Sequence, residues 1–128
     1  MDSPSYPLTP FHSRRQSRPR PPPAPKRRTR LGSRDPILTE DFHSYGSRVL
    51  AEFKTRASES GFELPTAYEG VRIRFSGVCT GWMLLRASLH DPVMVLNLEG
   101  QTVRDLEIIT GIAQSLVEDF DKLDLSAL

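Results

Sequence analysis

The sequence predicts a small α+β domain: an antiparallel sheet with helices packed on one face, preceded by a disordered, basic, proline-rich arm. Three observations carry this. Over residues 41–119 the periodic segments run helix, strand, strand, strand, helix, with short strand connections that favour antiparallel pairing and a helical layer on one sheet face. The 128 residues allow one domain. Nine of the eleven prolines fall in residues 1–36, and the charge divides in the same way. Residues 1–34 hold nine Lys and Arg against one acid, and residues 35–128 hold eight against fifteen. The net charge of +1 therefore cancels a basic arm (1–36) against an acidic domain (37–128).

In the arm, Tyr6, Leu8, Phe11 and Leu31 are scattered. They are too few to offset the cost of ordering the backbone, so disorder is expected. Arg18–Arg28 favours polyproline II. Three functional readings stay open beside a solvated extension without function. Pro22 and Pro25 with flanking Arg fit an SH3-type groove. Lys26-Arg27-Arg28-Thr29-Arg30 fits a nucleic-acid or nuclear-localisation patch. An Arg- and Ser-bearing, nearly acid-free composition fits an organelle transit segment, which leaves chloroplast and cytoplasm both open. The arm has no apolar core of a secretory signal.

Phe42, Tyr45, Val49, Leu50, Phe53 and Ala57 step by three and four, which predicts a helix over about 41–59 with Gly61 as its stop. Gly46 weakens its first turn. Residues 62–69, with Pro65, read as a connector. Val71-Arg72-Ile73-Arg74-Phe75 alternates strictly and predicts a half-buried strand. Trp82–Arg86 is a second strand, and Val93–Leu98 a third, apolar enough to be central and covered on both faces. Thr102 with Asp105 approximates a capping box. Behind it, Leu106, Ile109, Ala113, Leu116 and Phe120, with Val103, Ile112 and Val117 beside them, predict an amphipathic helix to about residue 119. Trp82, Tyr68 and Phe75 have the look of a base-stacking platform but are assigned to the core.

Several classes are excluded. No run of eighteen apolar residues occurs, so no membrane span is expected. Cys79, the single cysteine, cannot build a disulfide framework or a multi-cysteine zinc site. His12 and His43 lack a second His or Cys at ligand spacing, so no metal site is expected.

The chemistry concentrates in Arg86–Pro92, which joins two strands without a tight-hairpin dipeptide. Arg86, Ser88 and His90 lie within five residues. A guanidinium takes two phosphate oxygens at once, a hydroxyl donates a third bond, and the N–H groups of a tight loop form an anion nest. His90 can add positive charge beside a dianion. Asp91 is unfavourable if it faces the anion and tolerable if it accepts loop N–H groups before Pro92. Ser88 and His90 make a poor nucleophile pair, being two apart with no third group to orient the imidazole.

The runs Tyr68-Glu69-Gly70-Val71-Arg72-Ile73 and Gly81-Trp82-Met83-Leu84-Leu85-Arg86-Ala87-Ser88-Leu89-His90-Asp91-Pro92, with the apolar strand to Glu99 that follows, resemble the C-terminal domain of the α-D-phosphohexomutases, the phosphoglucomutase/phosphomannomutase family. The family pattern is Gly-Val-Arg in one strand, Gly-Trp in the next, then Arg-(Ala/Pro)-Ser-(Asn/Gly)-Thr-acid-Pro. Arg86, Ser88, Asp91 and Pro92 match it. Leu89 and His90 depart from it, and Ser-Leu-His-Asp-Pro is similar to the loop of a plant-type branch. The resemblance covers about residues 41–128 and implies a domain that grips the non-reacting phosphate of a hexose phosphate through Arg86, Ser88, Leu89, His90 and Asp91, without covalent chemistry of its own. In the family, a phosphoserine and Mg²⁺ in other domains isomerise the sugar phosphate by intramolecular phosphoryl transfer. The nucleophile loop Thr-Ala-Ser-His-Asn-Pro, the metal loop Asp-x-Asp-x-Asp and the sugar loop Gly-Glu-x-Ser-Gly-His do not occur here. The expectation is a catalytically incomplete domain with no cofactor of its own. Its partners would be a hexose phosphate and a chain supplying the missing mutase domains, and residues 1–34 would be dispensable for binding. The alternative is an interaction or nucleic-acid-associated protein that acts through its arm.

Overall fold

The computed structural model describes residues 23–34 and 42–128. Strands β1 (Lys26–Gly32), β2 (Val71–Phe75), β3 (Gly81–Ala87) and β4 (Val93–Gly100) form one antiparallel sheet in the order β1-β4-β3-β2. Helices α1 (Phe42–Glu59) and α2 (Val103–Val117) cover one face. This is the α+β architecture that the periodicities predict.

Parity in the strands sets the core. Val71, Ile73 and Phe75 of β2 point to the helices, as do Met83 and Leu85 of β3 and Met94, Leu96 and Leu98 of β4, and all are buried. Against them lie Val49, Phe53 and Ala57 of α1 and Ile109, Ala113 and Val117 of α2. Gly46, the weak point of the predicted helix, is where α1 approaches the sheet: a Cβ there would stand 3.3 Å from Met94 Sδ. Arg56 ties the helices together, donating to the Leu116 carbonyl (2.7 Å) and lying over the Phe120 ring (4.4 Å).

One expectation is corrected over part of its length. Residues 26–32 were assigned to a disordered arm, yet they form an edge strand paired with all of Val93–Glu99. The reason is tertiary. Leu31 and Thr29 alternate inward and are buried, while Lys26, Arg28 and Arg30 alternate outward and are exposed. The ladder partners come from β4, some sixty-five residues away in sequence, so no local signal announces them. Pro25, one half of the Pro-x-x-Pro reading, accepts a hydrogen bond from Gly100 N (3.0 Å). The C-terminal segment holds the strand at both ends, with Asp124 N donating to Gly32 O (2.7 Å) and the Arg27 guanidinium to Ala127 O (2.8 Å). Cationic side chains on an edge strand also discourage pairing with further chains. The rest of the arm reading, residues 1–22 and 35–36, lies outside the described residues.

Three further expectations are corrected. Trp82 is half-buried on the sheet face away from the helices, not core. Tyr68 is fully exposed, not core: it sits in the turn before Gly70, ahead of the strand that buries Val71. β4 is central, as predicted, but helices cover only one of its faces. On the other face Val95 is 2% exposed, with Arg30 and Arg86 as its cross-strand neighbours. Long cationic side chains cover apolar surface with their stems.

The capping box of α2 is complete. Thr102 Oγ1 accepts from Asp105 N (3.1 Å), and Asp105 Oδ2 accepts from Thr102 N (3.0 Å). Asp105 Oδ1 also accepts from Thr80 N (3.2 Å), which ties the helix entry to the β2–β3 turn. The Thr102 and Thr80 hydrogen bonds hold the Asp105 carboxyl below its usual range. Its stabilising contribution is therefore present above the ordinary Asp value and is lost as pH falls through the depressed one. Thr102→Ala is expected to lower unfolding free energy by about 1 kcal/mol, read as a lower urea midpoint with an unchanged slope.

Candidate functional site

The candidate residues occupy the end of β3 and the connection to β4. Arg86 is in β3, half-buried, with its side chain on the sheet face away from the helices. Ser88 follows the strand, and Leu89, His90, Asp91 and Pro92 form the exposed turn. The turn closes through Ser88 N to Val93 O (2.9 Å) and Val93 N to Asp91 O (2.8 Å). Ser88 Oγ accepts a long bond from Asp91 N (3.4 Å). A hydroxyl that accepts still has its own hydrogen to donate outward.

Three of the turn's N–H groups are thus engaged. Among the described residues those of Leu89 and His90 have no partner. These are the two positions at which the sequence departs from the family pattern, and the departure leaves their backbone donors intact. Arg86 likewise has no hydrogen-bond or ion-pair partner among the described residues. The end of β3 and the turn after it therefore offer a guanidinium, a hydroxyl and two N–H groups, all donors suited to an oxyanion.

Asp91 does not take the Asx-turn role. Its Oδ2 accepts from the Arg30 guanidinium at 2.8 Å, across the β1–β4 edge. Both side chains are more than half exposed, so the pair adds little stability. Its effect is electrostatic: the carboxylate least welcome beside an anion has its own counter-charge. Arg30 is the residue that sequence reasoning missed. The signal was present as the alternation of Arg28 and Arg30 with Thr29 and Leu31, inside a stretch read as disordered.

Gly70 supports the site from behind. Its φ is +72°, a conformation side chains rarely adopt. A Cβ there would collide with the Leu85 carbonyl oxygen and stand 2.8 Å from Arg86 Cα. The turn before β2 thus packs its bare backbone against the residue that carries the guanidinium. Among the described residues no group of three His, Cys, Asp or Glu side chains is arranged to hold a metal. No described helix is long and apolar enough to cross a membrane.

No protein-family model matches the chain, and no curated protein matches it. A solved structure does. The crystal structure of a phosphoglucomutase/phosphomannomutase family protein from Burkholderia thailandensis superposes with a TM-score of 0.55 at 18% identity, covering 84% of this chain and 19% of that one. The chain thus spans about a fifth of that protein's length. At that identity the likeness is one of fold: the chain folds as a segment of a phosphoglucomutase/phosphomannomutase family protein does, in keeping with the resemblance carried by Gly70, Gly81-Trp82 and the Arg86–Pro92 loop.

Proposed function

We propose that this chain binds the phosphate of a hexose phosphate through Arg86, Ser88 and the backbone of Leu89–Asp91. In this reading it is the phosphate-gripping part of a mutase and performs no isomerisation alone. The observation that carries it is the set of unengaged donors at the end of β3 and in the turn after it, on a fold shared with a phosphoglucomutase/phosphomannomutase family protein. Arg86 takes two phosphate oxygens, the Ser88 hydroxyl a third, and the Leu89 and His90 N–H groups complete the cradle. Arg30 holds Asp91 off the anion. A phosphate held in this way fixes the sugar against a reacting centre that another domain or chain supplies, and the contribution of the grip is positional. Phosphoryl transfer and its Mg²⁺ belong to that other component.

The test is a titration of glucose 6-phosphate and mannose 6-phosphate into the full chain, followed by amide chemical shifts. The amides of Ser88–Asp91 are expected to move. Arg86→Ala is expected to weaken binding about 10- to 100-fold, the worth of a lost charge-assisted contact. Ser88→Ala is expected to weaken it less. No movement at millimolar ligand with the wild-type chain overturns the proposal.

A further inference from the structure

Both helices pack on one face of the sheet, and among the described residues no helix or strand lies on the other. By register, that open face carries Lys26, Arg28, Arg30, Arg72, Arg74 and Arg86 against a single acid, Glu99. This is a segregation of charge, because residues 35–128 are acidic as a whole. Lys26 pairs with Glu99 (3.7 Å), Arg30 with Asp91 (2.8 Å) and Arg74 with Glu63 (3.1 Å). Arg28, Arg72 and Arg86 have no carboxylate partner among the described residues. Beside them, the Arg72 guanidinium lies over the Trp82 ring, 4.6 Å from its centroid, and Trp82 is half-buried. Asn97, also half-buried, lies between Arg28 and Leu84 in the register of the same face.

We infer that this open face binds single-stranded nucleic acid, with the unpaired guanidiniums on phosphates and bases on the Trp82–Arg72 stack. The cations supply charge complementarity to a polyanion. Planar groups on an open sheet face suit splayed, unstacked bases, whereas reading a duplex needs a narrow element that enters a groove. An acidic peptide would use the same cations but leave the stacked plane and the Asn97 amide without a role. The inference goes beyond hexose phosphate binding and moves the nucleic-acid reading from the basic arm to a folded surface, because Arg28 and Arg30 are strand residues.

The test uses the full chain and a fluorescein-labelled 12-mer of uridylate. Trp82 is the only tryptophan, so its quenching by the unlabelled oligomer reports stacking directly and needs no variant. By anisotropy, neutralising three phosphates gives a log–log salt slope of about −2, or roughly 20-fold weaker binding between 50 and 200 mM salt. Arg28→Gln with Arg72→Gln is expected to reduce the slope to about −0.7 and weaken binding at 50 mM salt at least tenfold. Arg104→Gln, exposed at the start of α2 on the helix-covered side of the sheet, is expected to change nothing. Ser88→Ala is expected to spare the oligomer while impairing the sugar phosphate, which separates the two proposals. Three results overturn the inference. One is an absence of Trp82 quenching and anisotropy change at 50 mM salt. Another is displacement of the oligomer by polyglutamate as readily as by itself, which marks an acidic-peptide surface. The last is binding that survives Arg28→Gln with Arg72→Gln but vanishes when Arg14, Arg15, Arg18 and Arg20 become Gln.

Discussion

Gly70→Ala is expected to lower the unfolding free energy by at least about 3 kcal/mol. Two causes act together. A φ of +72° strains any residue with a Cβ, which alone costs about 1–2 kcal/mol. The added methyl also meets backbone: the Leu85 carbonyl oxygen, and Arg86 Cα at 2.8 Å. No flexible side chain can move aside, so either the turn before β2 or strand β3 must shift. For a small domain holding 5–15 kcal/mol in general, that is a large share. Gly77→Ala separates the causes. Gly77 also has a positive φ, +93°, but a Cβ there meets nothing within 4 Å. Its cost is expected to stay near 1 kcal/mol. Equal urea midpoints for the two variants would sink the close-packing argument. If Gly70→Ala still folds, the amides of Arg86–Asp91 are expected to shift even without ligand, since the displaced backbone is the one that carries the guanidinium.

The parts of this molecule that were legible in the sequence are those whose signal is local. Val71, Ile73 and Phe75 alternate because a half-buried strand repeats every two residues, and Ile109, Ala113 and Leu116 recur because a helix repeats every 3.6. Thr102 and Asp105 meet three residues apart, so their capping box is written within one turn. Strand β1 carries only the short alternation of Arg28 and Arg30 with Thr29 and Leu31, too cationic to stand out from the arm. Lys26–Gly32 contains a single large apolar residue, Leu31, and its order comes from the free edge of β4 and from the C-terminal segment. Proximity to the prolines and an excess of cations argued for disorder, and tertiary pairing overrode both. Tyr68 failed for the complementary reason: an aromatic residue next to a strand reads as core unless the turn that turns it outward is known. The candidate site divides along the same line. Arg86, Ser88 and the turn are contiguous and legible. Arg30, which pairs with Asp91, reaches the loop only through the β1–β4 register, and no local pattern states that register.

Deleting residues 1–34 is expected to abolish cooperative unfolding of what remains, although composition alone marks this segment as dispensable. The deletion removes Leu31, whose complete burial is worth about 2–3 kcal/mol, and with it a seven-residue ladder. It frees the C-terminal segment, which hangs on Gly32 O through Asp124 N and pairs Leu123 with Ser33. It also turns β4 into an edge strand. Val93-Met94-Val95-Leu96-Asn97-Leu98 is apolar and nearly uncharged, the composition that recruits further strands when its backbone is unpaired. Light scattering of residues 35–128 is expected to rise at concentrations where the full chain stays clear, and the urea transition to broaden or disappear. Leu31→Ala in the full chain isolates the packing contribution and is expected to cost about 2–5 kcal/mol. Arg30→Gln, which removes only an exposed ion pair, is expected to cost less than about 1 kcal/mol. A fragment 35–128 with the same urea midpoint as the full chain would refute the argument, for β1 would then rest on the domain without supporting it. The expected outcome makes the strand and the phosphate loop one unit: Arg30 and Asp91 meet only while Leu31 stays in the core, so loss of sugar-phosphate binding after the deletion reports a lost fold, and Arg86→Ala in the intact chain reports the loop.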